Sequence, residues 1–195
     1  MVEERNRPAK ALLYWIGGTL IGWSLAGGLL LLVQVLFPAF SGPALFIVLL
    51  LPGVAQWLLL RRLLGIGPFW IATAPLATIA FVGILISVPV TLWETVDSEA
   101  SATLAGIYAI LGALLGLLQW LALRRQLRAA WVWVAASIVG IAAGFALALF
   151  TDLVNRSGLG TYVAVVLIYA ATTGLALAWL MSQPARTPSA GFIAA

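Results

Sequence analysis

The stretch QWLLLRR, residues 56–62, returns as QWLALRR at residues 119–125 with one change. Each copy closes an apolar run, Ala44–Leu60 in the first case and Ala102–Leu123 in the second. A short break follows, and then another apolar run opens on tryptophan: Trp70–Trp93 and Trp131–Leu153. The unit that carries the motif is therefore a pair of apolar segments joined by a tight arginine-bearing turn. A helix needs about 20 apolar residues to cross some 30 Å of hydrocarbon, and these runs are of that length.

Two further runs lie outside the pairs, Ala11–Phe37 before them and Tyr162–Met181 after them. The breaks carry turn residues or charge: PAFSGP from Pro38, RRLLGIGPF from Arg61, ETVDSEAS from Glu94, RRQLRAA from Arg124 and NRSGLG from Asn155. Connections this short predict antiparallel neighbours. The expected fold is all-α: a polytopic membrane protein of six transmembrane helices built from hairpin repeats. Its transmembrane domain covers residues 11–183, between an N-terminal tail 1–10 and a C-terminal tail 184–195. The first run is too long for the core of a signal peptide and is expected to stay in the membrane.

Composition agrees. Of the 195 residues 64% are hydrophobic and 8% charged, and the mean hydropathy of +1.13 is far from that of a domain with a polar shell. Cysteine and histidine are both absent, which excludes disulfides, thiolate chemistry, imidazole metal ligands and histidine bases. No span centre holds Asp, Glu, Lys or Arg, which argues against a proton pump or voltage sensor. Ser24, Ser87 and Ser137 have no histidine to activate them. The net charge of +4 is not a nucleic-acid footprint, because the basic residues sit at the ends of apolar runs. No enzymatic role is expected.

With both termini inside, nine of the ten basic residues fall on the cytoplasmic side and only Arg156 outside, a strong positive-inside asymmetry. Of the tryptophans, Trp15, Trp57, Trp70, Trp120, Trp131, Trp133 and Trp179 lie near the same predicted boundary, and are expected to form an interfacial belt there.

At an offset of 63 residues Gly53 falls on Gly116, Gln56 on Gln119, Trp57 on Trp120 and Trp70 on Trp133, which defines repeats 44–95 and 102–155. The second helix of each shows a pattern of small residues after its tryptophan: Ala74 and Ala77 after Trp70, Ser137, Gly140 and Gly144 after Trp133. The first span has it too, as Trp15, Thr19, Gly22 and Ala26. The last span ends AWLMSQ, with Trp179 where Trp120 stands and Ala178 in place of the glutamine. Spans 1 and 6 thus read as the halves of a split third repeat. Three hairpins then close into a bundle with approximate threefold symmetry; the alternative is a linear row of hairpins.

Trp57 and Arg61, like Trp120 and Arg124, are four apart on one helix face, so a guanidinium can lie over an indole at headgroup level. With Arg62 and Arg125 they are expected to anchor the helix ends and meet anionic lipid phosphates. Gln56 and Gln119 lie about a turn deeper, where an amide facing lipid would go unsatisfied, so they are expected to make interhelical hydrogen bonds. Small residues at spacing four, Gly18 and Gly22, Gly112 and Gly116, Gly140 and Gly144, allow close helix approach. Pro52, Pro75 and Pro89 lie within spans and can kink them.

In GVAQWLLLRR and GLLQWLALRRQLRAAWVWVAASIVG the chain resembles a group of uncharacterised multi-pass membrane proteins of cyanobacterial and Chloroflexi type, which carry a repeated Gly-x-x-Gln-Trp-Leu-x-Leu-Arg before a Trp-rich helix start. The resemblance implies a bacterial inner membrane, with a thylakoid-type membrane as the variant, and lends no reaction.

The leading expectation is a non-catalytic accessory or scaffold subunit, packing against other membrane proteins, lipids (anionic ones on the cytoplasmic side) or pigments, with no nucleic-acid partner and no cofactor specified. The alternative is a small transporter or channel with a path between the hairpins, lined by Thr73, Thr78, Ser87, Thr172 and Thr173.

Overall fold

The structure, a computed structural model, describes residues 7–37, 39, 41–87, 101–151 and 158–183. Seven helices follow in order: α1 Arg7–Leu36, α2 Ser41–Val48, α3 Leu50–Leu64, α4 Phe69–Ser87, α5 Ser101–Leu123, α6 Trp131–Phe150 and α7 Gly158–Ser182. With α2 and α3 joined end to end, six stretches of the described chain are long and apolar enough to span a bilayer.

The helices differ from the expected runs at their ends. Helix α1 begins at Arg7, inside the segment expected to be a tail, and α3 carries Arg61 and Arg62 within its last turn instead of ending before them. There Gly65 adopts a left-handed φ of 68° and donates its N–H to the Arg61 carbonyl at 3.1 Å, a glycine cap that terminates the helix. The break at Leu49 between α2 and α3 has its cause in Pro52, whose ring lacks the N–H that Val48 would accept from.

Chain neighbours pack as hairpins, α4 packs on α5, and α7 packs back on α1, so the helices form a closed ring and not a row. Large apolar side chains cover its outside, among them Val35, Ile47, Ile86 and Phe150. On a protein in water such a surface would be an aggregation patch; in hydrocarbon it needs no cover. The interior is where the polar residues lie: Thr19, Gln56, Thr73, Gln119, Ser137 and Thr173 are all buried.

The hairpins close through their small residues. A Cβ built on Gly53 would sit 2.6 Å from the Ile71 carbonyl oxygen, and one on Gly116 would sit 2.9 Å from Cα of Val134, the residue that the 63-residue offset matches to Ile71. In the first hairpin the approach has a further use. Pro75 has no N–H to offer Ile71, so α3 covers a carbonyl that its own helix leaves unbonded. Of the spaced glycine pairs, Gly112 and Gly116 and also Gly140 and Gly144 make such close contacts; Gly22 does, but Gly18 faces open space.

Candidate functional site: a tryptophan triad and its glutamine ties

The small-residue pattern that recurs in three helices faces the ring's interior. Trp15, Trp70 and Trp133 are wholly buried, and Thr19, Gly22 and Ala26, Ala74 and Ala77, and Ser137, Gly140 and Gly144 follow them into the core. The three indoles meet at the axis. Trp15 and Trp70 have ring centroids 6.1 Å apart, Trp15 and Trp133 5.0 Å, and Trp70 and Trp133 5.7 Å, each pair edge to face. Aromatic quadrupoles favour that arrangement, and a closed triangle lets every ring present an edge or a face to both others.

This corrects the interfacial reading of those three residues. Trp15, Trp70 and Trp133 do not belong to a lipid-facing belt, and their N–H groups are satisfied by neighbouring helices. Trp57 and Trp120, half-buried, and Trp131 and Trp179, 65% and 47% exposed, are the tryptophans on the outside. Trp93 lies outside the described residues, as do Glu94, Asp152 and Pro89.

Each indole N–H of the triad donates to the preceding span around the ring. Trp70 donates to Gln56 Oε1 at 3.2 Å and Trp133 to Gln119 Oε1 at 2.7 Å. The third position differs. Ala178 supplies no acceptor, and Trp15 instead donates to Thr173 Oγ1 at 3.0 Å, from deeper in α7. That hydroxyl donates in turn to the Tyr169 carbonyl.

The glutamines extend the network across the ring. Gln56 donates through Nε2 to Thr19 Oγ1 at 3.2 Å, tying α3 to α1 as well as to α4. Gln119 Oε1 accepts a second bond, from the Tyr169 hydroxyl at 3.1 Å, tying α5 to α7 as well as to α6. Both amides are almost fully buried, at 3% and 2% exposure, so their bonds are made where water does not compete.

The arginines and outer tryptophans lie at the same end. The Arg61 guanidinium stands 5.2 Å from the Trp57 ring centroid, and Arg124 stands 5.2 Å from that of Trp120. The Trp57 indole also donates to the Ile66 carbonyl at 3.1 Å, fastening the first turn. Arg62 and Arg125 are exposed beside them. All seven basic residues among those described, Arg7, Lys10, Arg61, Arg62, Arg124, Arg125 and Arg128, lie at this end of the ring.

Beyond the triad, toward the other end, lies an apolar chamber of about 320 Å³, walled by all six spans through residues such as Trp23, Leu49, Ala77, Leu111, Phe145 and Val166. The Tyr162 hydroxyl donates to the Trp23 carbonyl beside it. The hydroxyls expected to line a path do not form one. Thr73, Thr78, Ser87 and Thr172 bond to carbonyls of their own helices, Thr173 is occupied as above, and of the five only Thr78 reaches the chamber wall. Among the described residues no group of His, Cys, Asp or Glu could hold a metal ion.

A closed ring of apolar helices with its polar groups turned inward defines a polytopic α-helical membrane protein. Beyond that class, the chain matches no family model, no curated protein and no solved structure.

Proposed function

We propose that this chain is a non-catalytic accessory or scaffold subunit that packs, through its lipid-facing sides, against other membrane proteins, lipids or pigments. The observation that supports this reading is the use made of the intramembrane polar groups. Gln56, Gln119, Thr19, Thr173 and Tyr169 are committed to one another and to the three indoles, which ties the ring together and leaves, among the described residues, no convergent set of acid, base or nucleophile. Its setting is a bacterial cytoplasmic membrane, or a thylakoid-type one, with both termini cytoplasmic; the basic asymmetry supports the orientation and the resemblance supports the source. The 63-residue offset supports two copies of one hairpin, with α1 and α7 as a split third.

The test is copurification. The tagged chain, extracted from its native membrane in mild detergent, is expected to migrate with a larger membrane complex, and migration as a bare 20.6 kDa chain with lipid alone would reject the subunit role. A second reading, a small transporter or channel, has one observation in its favour, the chamber that reaches mid-membrane. The three interlocked indoles between that chamber and the arginine end oppose passage of a polar solute, so under this reading Trp70→Ala should open a leak in proteoliposomes, and under the subunit reading it should only destabilise the ring.

A further inference from the structure

We infer that the second hairpin binds a single anionic phospholipid, phosphate in an arginine cleft and acyl chain in a groove that continues from it, and that the first hairpin lacks this site. The inference rests on the membrane reading and is independent of the subunit role.

The cleft, about 500 Å³, lies where α5 turns into α6 and is lined by Arg124, Arg125 and Arg128 together with Trp120 and Trp131. Arginine's planar fork pairs with two phosphate oxygens at once, and indoles sit by preference at the headgroup level. Below it a second depression, about 400 Å³, runs between the two helices on the outside of the ring over Leu117, Val134, Ala135 and Ile138. Trp120 and Trp131 line both, so the charged and apolar parts form one continuous amphipathic surface. Trp131 is 65% exposed, a large side chain standing off the protein at the rim shared by the two.

The first hairpin shows why the site is not a general property of the motif. At the offset of 63, Gly65 stands for Arg128 and Pro68 for Trp131. The backbones also differ. Helix α3 continues through Arg61 and Arg62 to its Gly65 cap, whereas α5 ends at Leu123 and residues 124–130 leave the helix axis in successive turns, with Gln126 and Leu127 both donating to the Leu123 carbonyl at 3.0 Å. Leu127 and Ala130 are buried and hold that loop down, so the arginines splay around a cleft in place of running along a helix. Trp57 is pinned by its bond to Ile66, and Trp120 makes no such bond within the described chain.

Anionic phospholipid is therefore the occupant: Arg125 and Arg128 match the phosphodiester, and an apolar groove leading directly from it matches the chain. The full-length protein, purified and reconstituted in nanodiscs of mixed phosphatidylcholine and phosphatidylglycerol, is released for native mass spectrometry. One phosphatidylglycerol should be retained in preference to phosphatidylcholine. Arg125→Gln with Arg128→Gln should lower that retention at least about tenfold, as expected for losing charge-assisted bonds. Ala135→Phe, at an exposed position in the groove, should lower it without changing charge; Trp131→Leu, at the rim shared by cleft and groove, must do the same should that variant fail to fold. Arg61→Gln with Arg62→Gln should leave it unchanged. Equal retention of phosphatidylcholine, or an equal loss from the first-hairpin pair, overturns the proposal. So does a groove variant that folds and keeps its lipid, or displacement by inorganic phosphate, since either would make the cleft a site for the phosphate group alone. The assay uses the isolated chain, so its outcome does not depend on whether a partner complex is found.

Discussion

Trp133 donates its indole N–H to Gln119, fourteen residues earlier on the facing helix, at 2.7 Å, and Trp70 repeats the bond to Gln56 at the same separation. One bond thus spans each hairpin near its turn and at the same time sets the angle of an indole in the central triad. The motif that marks the sequence is a device for joining helices, with the exposed arginines at its outer end.

Loss of the two glutamines should not be equivalent. Gln119→Leu leaves both the Trp133 N–H and the Tyr169 hydroxyl without their acceptor, whereas Gln56→Leu strands only the Trp70 N–H, because Thr19 is the acceptor of its other bond. Buried orphan donors cost about 1–3 kcal/mol each, and rather less in membranes. Thermal unfolding in detergent should rank Gln119→Leu below Gln56→Leu. Equal losses would mean that the Tyr169 bond contributes nothing.

The triad should separate ring packing from hydrogen bonding. Trp70→Phe keeps an aromatic ring and deletes the donor to Gln56, and is expected to cost about 1–2 kcal/mol. Trp70→Ala removes a wholly buried indole flanked by two others and is expected to cost about 3–5 kcal/mol. Thr173→Val, which removes the acceptor for Trp15, should resemble the phenylalanine variant. Denaturation midpoints that do not distinguish Phe from Ala at position 70 would reject the triad as a packing unit.

Gly53→Ala and Gly116→Ala should each cost about 1–3 kcal/mol, because the added methyl meets backbone of Ile71 or Val134 that cannot yield as a flexible side chain would. Gly18→Ala meets open space in the middle of a helix and should stabilise, by up to about 1 kcal/mol. A melting series on the three variants checks both signs together.

A reporter fused after Ala195 should read as cytoplasmic. An even number of spans puts both termini on one side, and the positive-inside rule assigns the end that carries the seven basic residues described to the cytoplasm, so an extracytoplasmic signal would reverse the orientation and move the proposed lipid site to the other leaflet.

Class and helix number can be read directly from the chain, because each span must be apolar along its whole length and hydrocarbon sets that length. The depth of Gln56 and Gln119 is equally legible, since an amide one turn inside an arginine pair has few ways to be satisfied. Neither the direction in which a tryptophan points nor the closure of the ring can be read in that way. In a soluble helix an apolar stripe marks the buried face, but here lipid and core are both apolar, so a tryptophan near the boundary looks the same whether it faces outward, as Trp131 does, or the axis, as Trp133 does two residues later. The small residues spaced after Trp15, Trp70 and Trp133 were the signal that pointed inward. The arginine cleft, too, arises only in three dimensions. The two QW-L-x-L-R-R stretches differ at one position, yet α3 is carried on to a glycine cap and α5 stops at Leu123, and that difference in backbone path decides which arginine pair lines a cleft.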